Sequence, residues 1–333
     1  MRSTVLFFLL ASCCRSLLAA GVVQEYELDN GLKLIVKEDH RAPVVVSQVW
    51  YGVGASYEHD GITGVSHVLE HMMFKGTDKH GPGEFSRIIA ENGGSENAFT
   101  SKDYTAYFQR LEKSRLPISF ELESDRMRNL KLEDGEFAKE VRVVMEERRL
   151  RTEDKPTSLT YEQFNATAIT SSSAPIPTIG WMNDLENMQL DDLQVWYERW
   201  YAPNNAIVVV AGDVEPDAVY RLARQYFGPL KPEPVVPPKP RIEPQQQGKR
   251  SITVRAPAEV PYTIMGYKVP VLKTVNREVV WEPYALRVLA GILDGGDSAR
   301  LTSELVRGSQ IATSAGAGYD LYDRQDSLFL LDG

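Results

Sequence analysis

From Gln24 onward two periods take turns along the chain: short runs in which apolar and polar residues alternate, and longer runs with a helical repeat. Residues 26–28 and 32–36 alternate around Asp29-Asn30-Gly31, which predicts a β-hairpin. Residues 44–53, rich in valine and aromatic side chains, predict a buried strand. Helices are predicted over 65–74 and 85–91, the second stopped by Asn92-Gly93-Gly94. Residues 97–100 and 104–108 predict paired strands across Ser101-Lys102-Asp103. Two longer helices follow over 116–128 and 135–152. An apolar strand at 207–210 ends at Gly212-Asp213, and a helix is predicted over 217–227.

The composition then changes. Seven of the nineteen prolines fall between Pro229 and Pro244, followed by Gln245-Gln246-Gln247-Gly248, so residues 229–249 read as a semi-rigid linker. After it the pattern restarts, with strands near 252–254 and 263–267, a helix over 281–293 and an apolar run at 328–331. The division is therefore 21–228, a linker, and a second unit over 250–333. That unit is short for a domain and reads as the start of something longer.

Composition removes several classes of function. With 43% hydrophobic and 25% charged residues the chain is an ordinary globular one. Its net charge is −9, and −11 without the first twenty residues, which carry Arg2 and Arg15 and no acid. An acidic balance argues against a nucleic-acid partner. The only cysteines, Cys13 and Cys14, lie in that leader, so the rest has no disulfide, thiolate metal site or thiol nucleophile. Residues 1–20 combine a basic start, a short apolar run and small residues, and read as an export signal to a bacterial periplasm. Leu10-Ala11-Ser12-Cys13 is similar to a lipobox, so a membrane enters only through lipidation of Cys13. A mitochondrial transit peptide is the alternative.

The sharpest chemical feature is His67-Val68-Leu69-Glu70-His71. On a helix the two histidines, four apart, share a face and can hold one metal ion. Glu70 borders that stripe, where a carboxylate can hold a water and take its proton as the water attacks a carbonyl. The same residues also suit a solvated helix face. A zinc site needs a third protein ligand. On the helix over 135–152, Glu140 and Glu147 lie two turns apart on one face, with Val143 and Val144 read as the apolar stripe between them. Either glutamate can reach a facing helix, while Glu146 points elsewhere.

Around this motif, Gly64–Thr77 resembles the pitrilysin/insulinase family of zinc metallopeptidases, in its bacterial, processing-peptidase-like branch. The likeness extends to Tyr51–Glu58, to Asn97-Ala98-Phe99-Thr100, to Trp200–Ala206 and to Val210-Ala211-Gly212-Asp213. It implies an α+β fold of two homologous α/β sandwich domains, each a mixed or antiparallel sheet packed by helices, the second truncated. It also implies a zinc endopeptidase acting on unfolded peptides. One Zn2+ per chain is then held by His67, His71 and Glu147, with Glu70 as general base and Glu140 supporting the site from behind. The peptide substrate is implied to add as a strand along Asn97, Ala98, Phe99 and Thr100.

Two departures stand out. Family members often carry a His-Pro-Tyr-basic-basic-Pro segment where this chain has Ser172-Ser173-Ala174-Pro175-Ile176-Pro177. The family's Arg and Tyr that reach the zinc from the C-terminal half match here only in the lead-in, 298–307, with Thr313 at the Tyr position. That implies a homologous partner subunit lacking the zinc motif, in a heterodimer. The alternatives are a non-catalytic binding subunit of the same fold and a mitochondrial presequence-processing subunit.

Overall fold

The computed structural model describes residues 23–239 and 241–333. The leader at 1–20 and Cys13 lie outside them. The strands β1 (Val23–Glu27), β2 (Lys33–Glu38), β3 (Val44–Tyr51), β4 (Ser95–Thr100), β5 (Thr105–Glu112) and β6 (Ala206–Gly212) form one sheet in the order β1-β2-β6-β3-β5-β4. The β2–β6 pair is parallel and the others antiparallel, so the sheet is mixed. With it run α1 (Val65–Met72), α2 (Glu84–Glu91), α3 (Leu116–Asn129), α4 (Asp134–Arg148), α5 (Pro156–Ala168), α6 (Met182–Asn187), α7 (Leu190–Trp200) and α8 (Pro216–Tyr226).

Alternate strand residues, among them Leu34, Val36, Val45, Val49, Tyr107 and Val208, form a buried face joined to Phe120 of α3 and Ala223 of α8. Their period of two sends the other residues to the open face. Charge is also buried in this layer: Arg126 donates to Glu123 at 2.6 Å, and its guanidinium lies 4.1 Å from the Phe85 ring centre. Glu123 accepts again from Gln109, so neither charge is left unpaired.

The entry to α1 is tightly built. Gly64 and Gly180 have φ of +90° and +85°, and a Cβ on Gly180 would stand 2.4 Å from the Thr63 carbonyl oxygen. Only glycine allows both the conformation and the approach. The Glu58 carboxylate accepts from the Gly64 N–H (2.7 Å) and the Ser66 N–H (2.9 Å), satisfying donors that a helix start leaves free. Burial pushes this carboxyl up to about 7, against the pull of those two N–H groups. A carboxyl raised above its ordinary 4.5 stabilises the fold fully below pH 4.5 and loses that contribution as pH rises through 7. Glu58→Gln, neutral throughout, is therefore expected to cost about 1–3 kcal/mol in acid and less at pH 8, read by denaturant unfolding at both pH values.

The second half carries β7 (Ile264–Val269), α9 (Glu282–Asp294), β8 (Gly316–Gly318) and β9 (Ser327–Asp332), with the sheet order β7-β9-β8, all antiparallel. Its small core joins Ala290 of α9 to Val271, Tyr319, Leu321 and Phe329.

Three expectations change. Residues 252–254 form no strand: they lie within 231–263, which has neither helix nor strand where described, and the adjacent Arg250 is held by carbonyl groups of α5 instead. Val143 is 48% exposed while Val144 is fully buried, so the stripe on α4 is narrower than its sequence suggests. Helices α5, α6 and α7 fill stretches with no predicted element. In α5 the apolar residues make no continuous stripe, and the start signal is Pro156 in its first turn.

Candidate metal centre

Helix α1 presents His67 and His71 side by side, ring centres 5.0 Å apart and planes nearly perpendicular. Helix α4 packs against α1 and brings Glu147, near its end, to both rings. Glu147 Oε2 lies 3.6 Å from Nε2 of His67 and 3.6 Å from Nε2 of His71. That separation is too long for a hydrogen bond. It is close to the roughly 3.4 Å between ligands of a tetrahedral zinc with bonds near 2.1 Å. Among the described residues this trio is the group of histidine and acid side chains whose ligand atoms converge, all within 4.8 Å. The donor set fits zinc.

The surroundings prepare each group. His71 Nδ1 is 3.1 Å from Glu140 Oε2; a carboxylate only accepts, so the proton sits on Nδ1 and the lone pair of Nε2 faces Glu147. Lys75 pairs with the other Glu140 oxygen at 2.7 Å. Burial, with His71 and Arg151 nearby, pushes His67 down to about 3, which keeps its imidazole neutral and ready to ligate. Arg151 holds Glu147 Oε1 at 3.0 Å. Burial also raises the Glu70 carboxyl, opposed by a hydrogen bond from Thr100 Oγ1 to Glu70 Oε2 at 2.5 Å.

A cleft of about 920 Å³ opens over these groups. One wall is β4, the edge of the six-stranded sheet, represented by Asn97, Ala98, Phe99 and Thr100; among the described residues no strand pairs with its outer side. The cleft is also lined by Thr157, Tyr161 and Asn165 of α5 and by Pro175, Pro177, Thr178 and Ile179.

The structure thus brings together His67, Glu70, His71, Glu147 and the four β4 residues named from sequence, and sets Glu140 behind His71. Sequence reasoning missed Arg151, the α5 wall and Tyr262, a residue of the second half that lines the cleft. It also missed that Thr100 binds Glu70. Thr313 does not line the cleft.

The chain is similar to proteins described as zinc proteases. Residues 33–180 match the family model described as Insulinase (Peptidase family M16), and residues 187–331 match Peptidase M16 inactive domain. The chain is 36% identical to the zinc protease PqqE of Helicobacter pylori over 307 residues, spanning 91% of this chain and 68% of that relative. It is 26% identical to YmxG of Bacillus subtilis, described as an uncharacterized zinc protease, over 94% of this chain and 74% of that one. The crystal structure of a protease from Helicobacter pylori superposes with a TM-score of 0.85 at 34% identity, covering 94% of this chain and 74% of that chain.

Proposed function

The chain belongs to the insulinase family, peptidase family M16, and on that footing we propose that it is a zinc-dependent endopeptidase acting on unfolded peptides. One observation carries the reading: two imidazole nitrogens and a carboxylate oxygen converge in a cleft bordered by β4, whose outer side no strand pairs among the described residues.

In this reading His67, His71 and Glu147 hold the metal, and an extended peptide pairs its backbone with residues 97–100. Recognition through N–H and C=O groups makes little demand on side chains. Zinc bound there supplies Lewis-acid polarisation of the scissile carbonyl and acidifies a water. Thr100 occupies Glu70 Oε2, so Oε1 is the atom left to take a proton from the attacking water and return it to the departing amine. Burial, which raises the Glu70 carboxyl, moves this base toward neutral pH. Glu140 keeps His71 in the tautomer that ligates.

The reading includes a homologous partner subunit lacking the zinc motif, because Thr313 stands where the family's Tyr reaches the zinc from the C-terminal half. It also includes export to the periplasm, on the strength of residues 1–20.

The zinc-loaded chain is expected to cut a reduced, alkylated protein into peptides, to lose that activity to a chelator and to regain it with zinc. An equimolar homologous chain without the His-x-x-Glu-His set is expected to raise the rate. Cleavage that ignores the chelator would contradict the reading.

A further inference from the structure

The linker does not hang free. Glu243, in its middle, has a side chain only 6% exposed and accepts from the N–H groups of Thr170 (3.0 Å), Ser171 (2.8 Å) and Ser172 (3.3 Å). Thr170 Oγ1 adds a contact at 3.2 Å, and Lys268 Nζ, on β7 of the second half, donates at 2.6 Å. Burial opposes this charge, but Lys268 and the backbone donors outweigh it and hold the carboxyl down to about 2. Successive N–H groups turned onto one anion form a nest. Seven residues on, Arg250 donates to the carbonyls of Thr167 and Ala168, at the C-terminal end of α5.

The nest ends at Ser172, where the chain begins to depart from the family's His-Pro-Tyr-basic-basic-Pro segment. The buried Ser172 and Ser173 are small enough to let the loop close around a carboxylate. The same loop runs on through Pro175 and Ile179 along the cleft, and its far end is pinned where Arg148 donates to the Gly180 carbonyl at 2.9 Å. Both α5 and the loop are cleft wall.

We propose that Glu243 is a positioning residue: seated in the 170–172 nest and paired with Lys268, it fastens the second half of the chain to the wall of the cleft. A displacement of β7 is then carried into α5 and the 175–179 segment, and so into the room left for a peptide. The latch rests on the peptidase reading only where cleavage is the readout.

The test uses the full chain, comparing wild type with Glu243→Ala by amide hydrogen exchange. Exchange at Thr170, Ser171 and Ser172 is expected to rise about tenfold, and the amides of Ile176 and Gly180 are expected to follow. Zinc per chain stays unchanged, and KM for a peptide rises several-fold while kcat stays near wild type. A rise confined to 170–172, no rise at all, or an unchanged KM would overturn the proposal. Should Glu243→Ala not fold, Lys268→Gln leaves the nest intact and is expected to show the same pattern at smaller size. A zinc-loaded wild-type chain that cleaves nothing even with the homologous partner chain present would refute the peptidase reading, and the exchange result would still decide the latch.

Discussion

Replacing Glu70 with glutamine is expected to leave one zinc per chain and to cut the cleavage rate by about 10²–10⁴-fold. The substitution keeps shape and keeps an oxygen for Thr100 Oγ1, so α1 and the β4 wall should stay in place. What it removes is the one property the reaction asks of this side chain, the capacity to accept a proton and give it back. Glu70 lies outside the trio that converges on the metal position, so zinc content should not follow activity down. The loss should appear in kcat with KM nearly unchanged, because peptide binding draws on the backbone of residues 97–100. A variant that retains its rate would place the base elsewhere. A variant that loses zinc would make Glu70 a ligand.

The parts of this architecture that could be read from sequence are those in which local pattern and chemistry coincide. His67, Glu70 and His71 lie on one helical stretch, so a spacing rule alone puts them on a shared face. The pairing of 97–100 with 104–108 was legible because alternation and a short turn act locally, and Asn97 does pair with Phe108. Glu147 was harder. Residue types left Glu140 and Glu147 equal, and the family resemblance separated them in favour of Glu147; the packing of α4 on α1 gives the two acids different places. Nothing in the run from Pro156 to Ala168 marks it as lining one cleft with a strand some sixty positions away in sequence, since its cleft-side residues are polar and its apolar ones scattered. The Glu243 nest was invisible for a related reason. Its donors are main-chain N–H groups, which every sequence has, and only the path of the loop turns three of them onto one carboxylate. The misread segment at 252–254 shows the converse: alternation over three residues is not enough to form a strand when no neighbour offers a ladder.

The second large effect is expected at Glu147, and it bears on the central claim, that His67, His71 and Glu147 hold one zinc ion. Losing a group that merely supports a ligand lowers metal affinity about 10–100-fold; Glu147→Gln removes a ligand itself and should cost more. Glutamine keeps the length and bulk of the side chain, and His67 and His71 stay on α1, so the fold offers no competing explanation for lost metal. Zinc per chain, measured by elemental analysis on metal-supplemented, dialysed wild type and Glu147→Gln side by side, is the most direct test. The account predicts about one zinc in wild type and far less in the variant. Folded wild type without zinc, or a variant that keeps its full zinc, would contradict it.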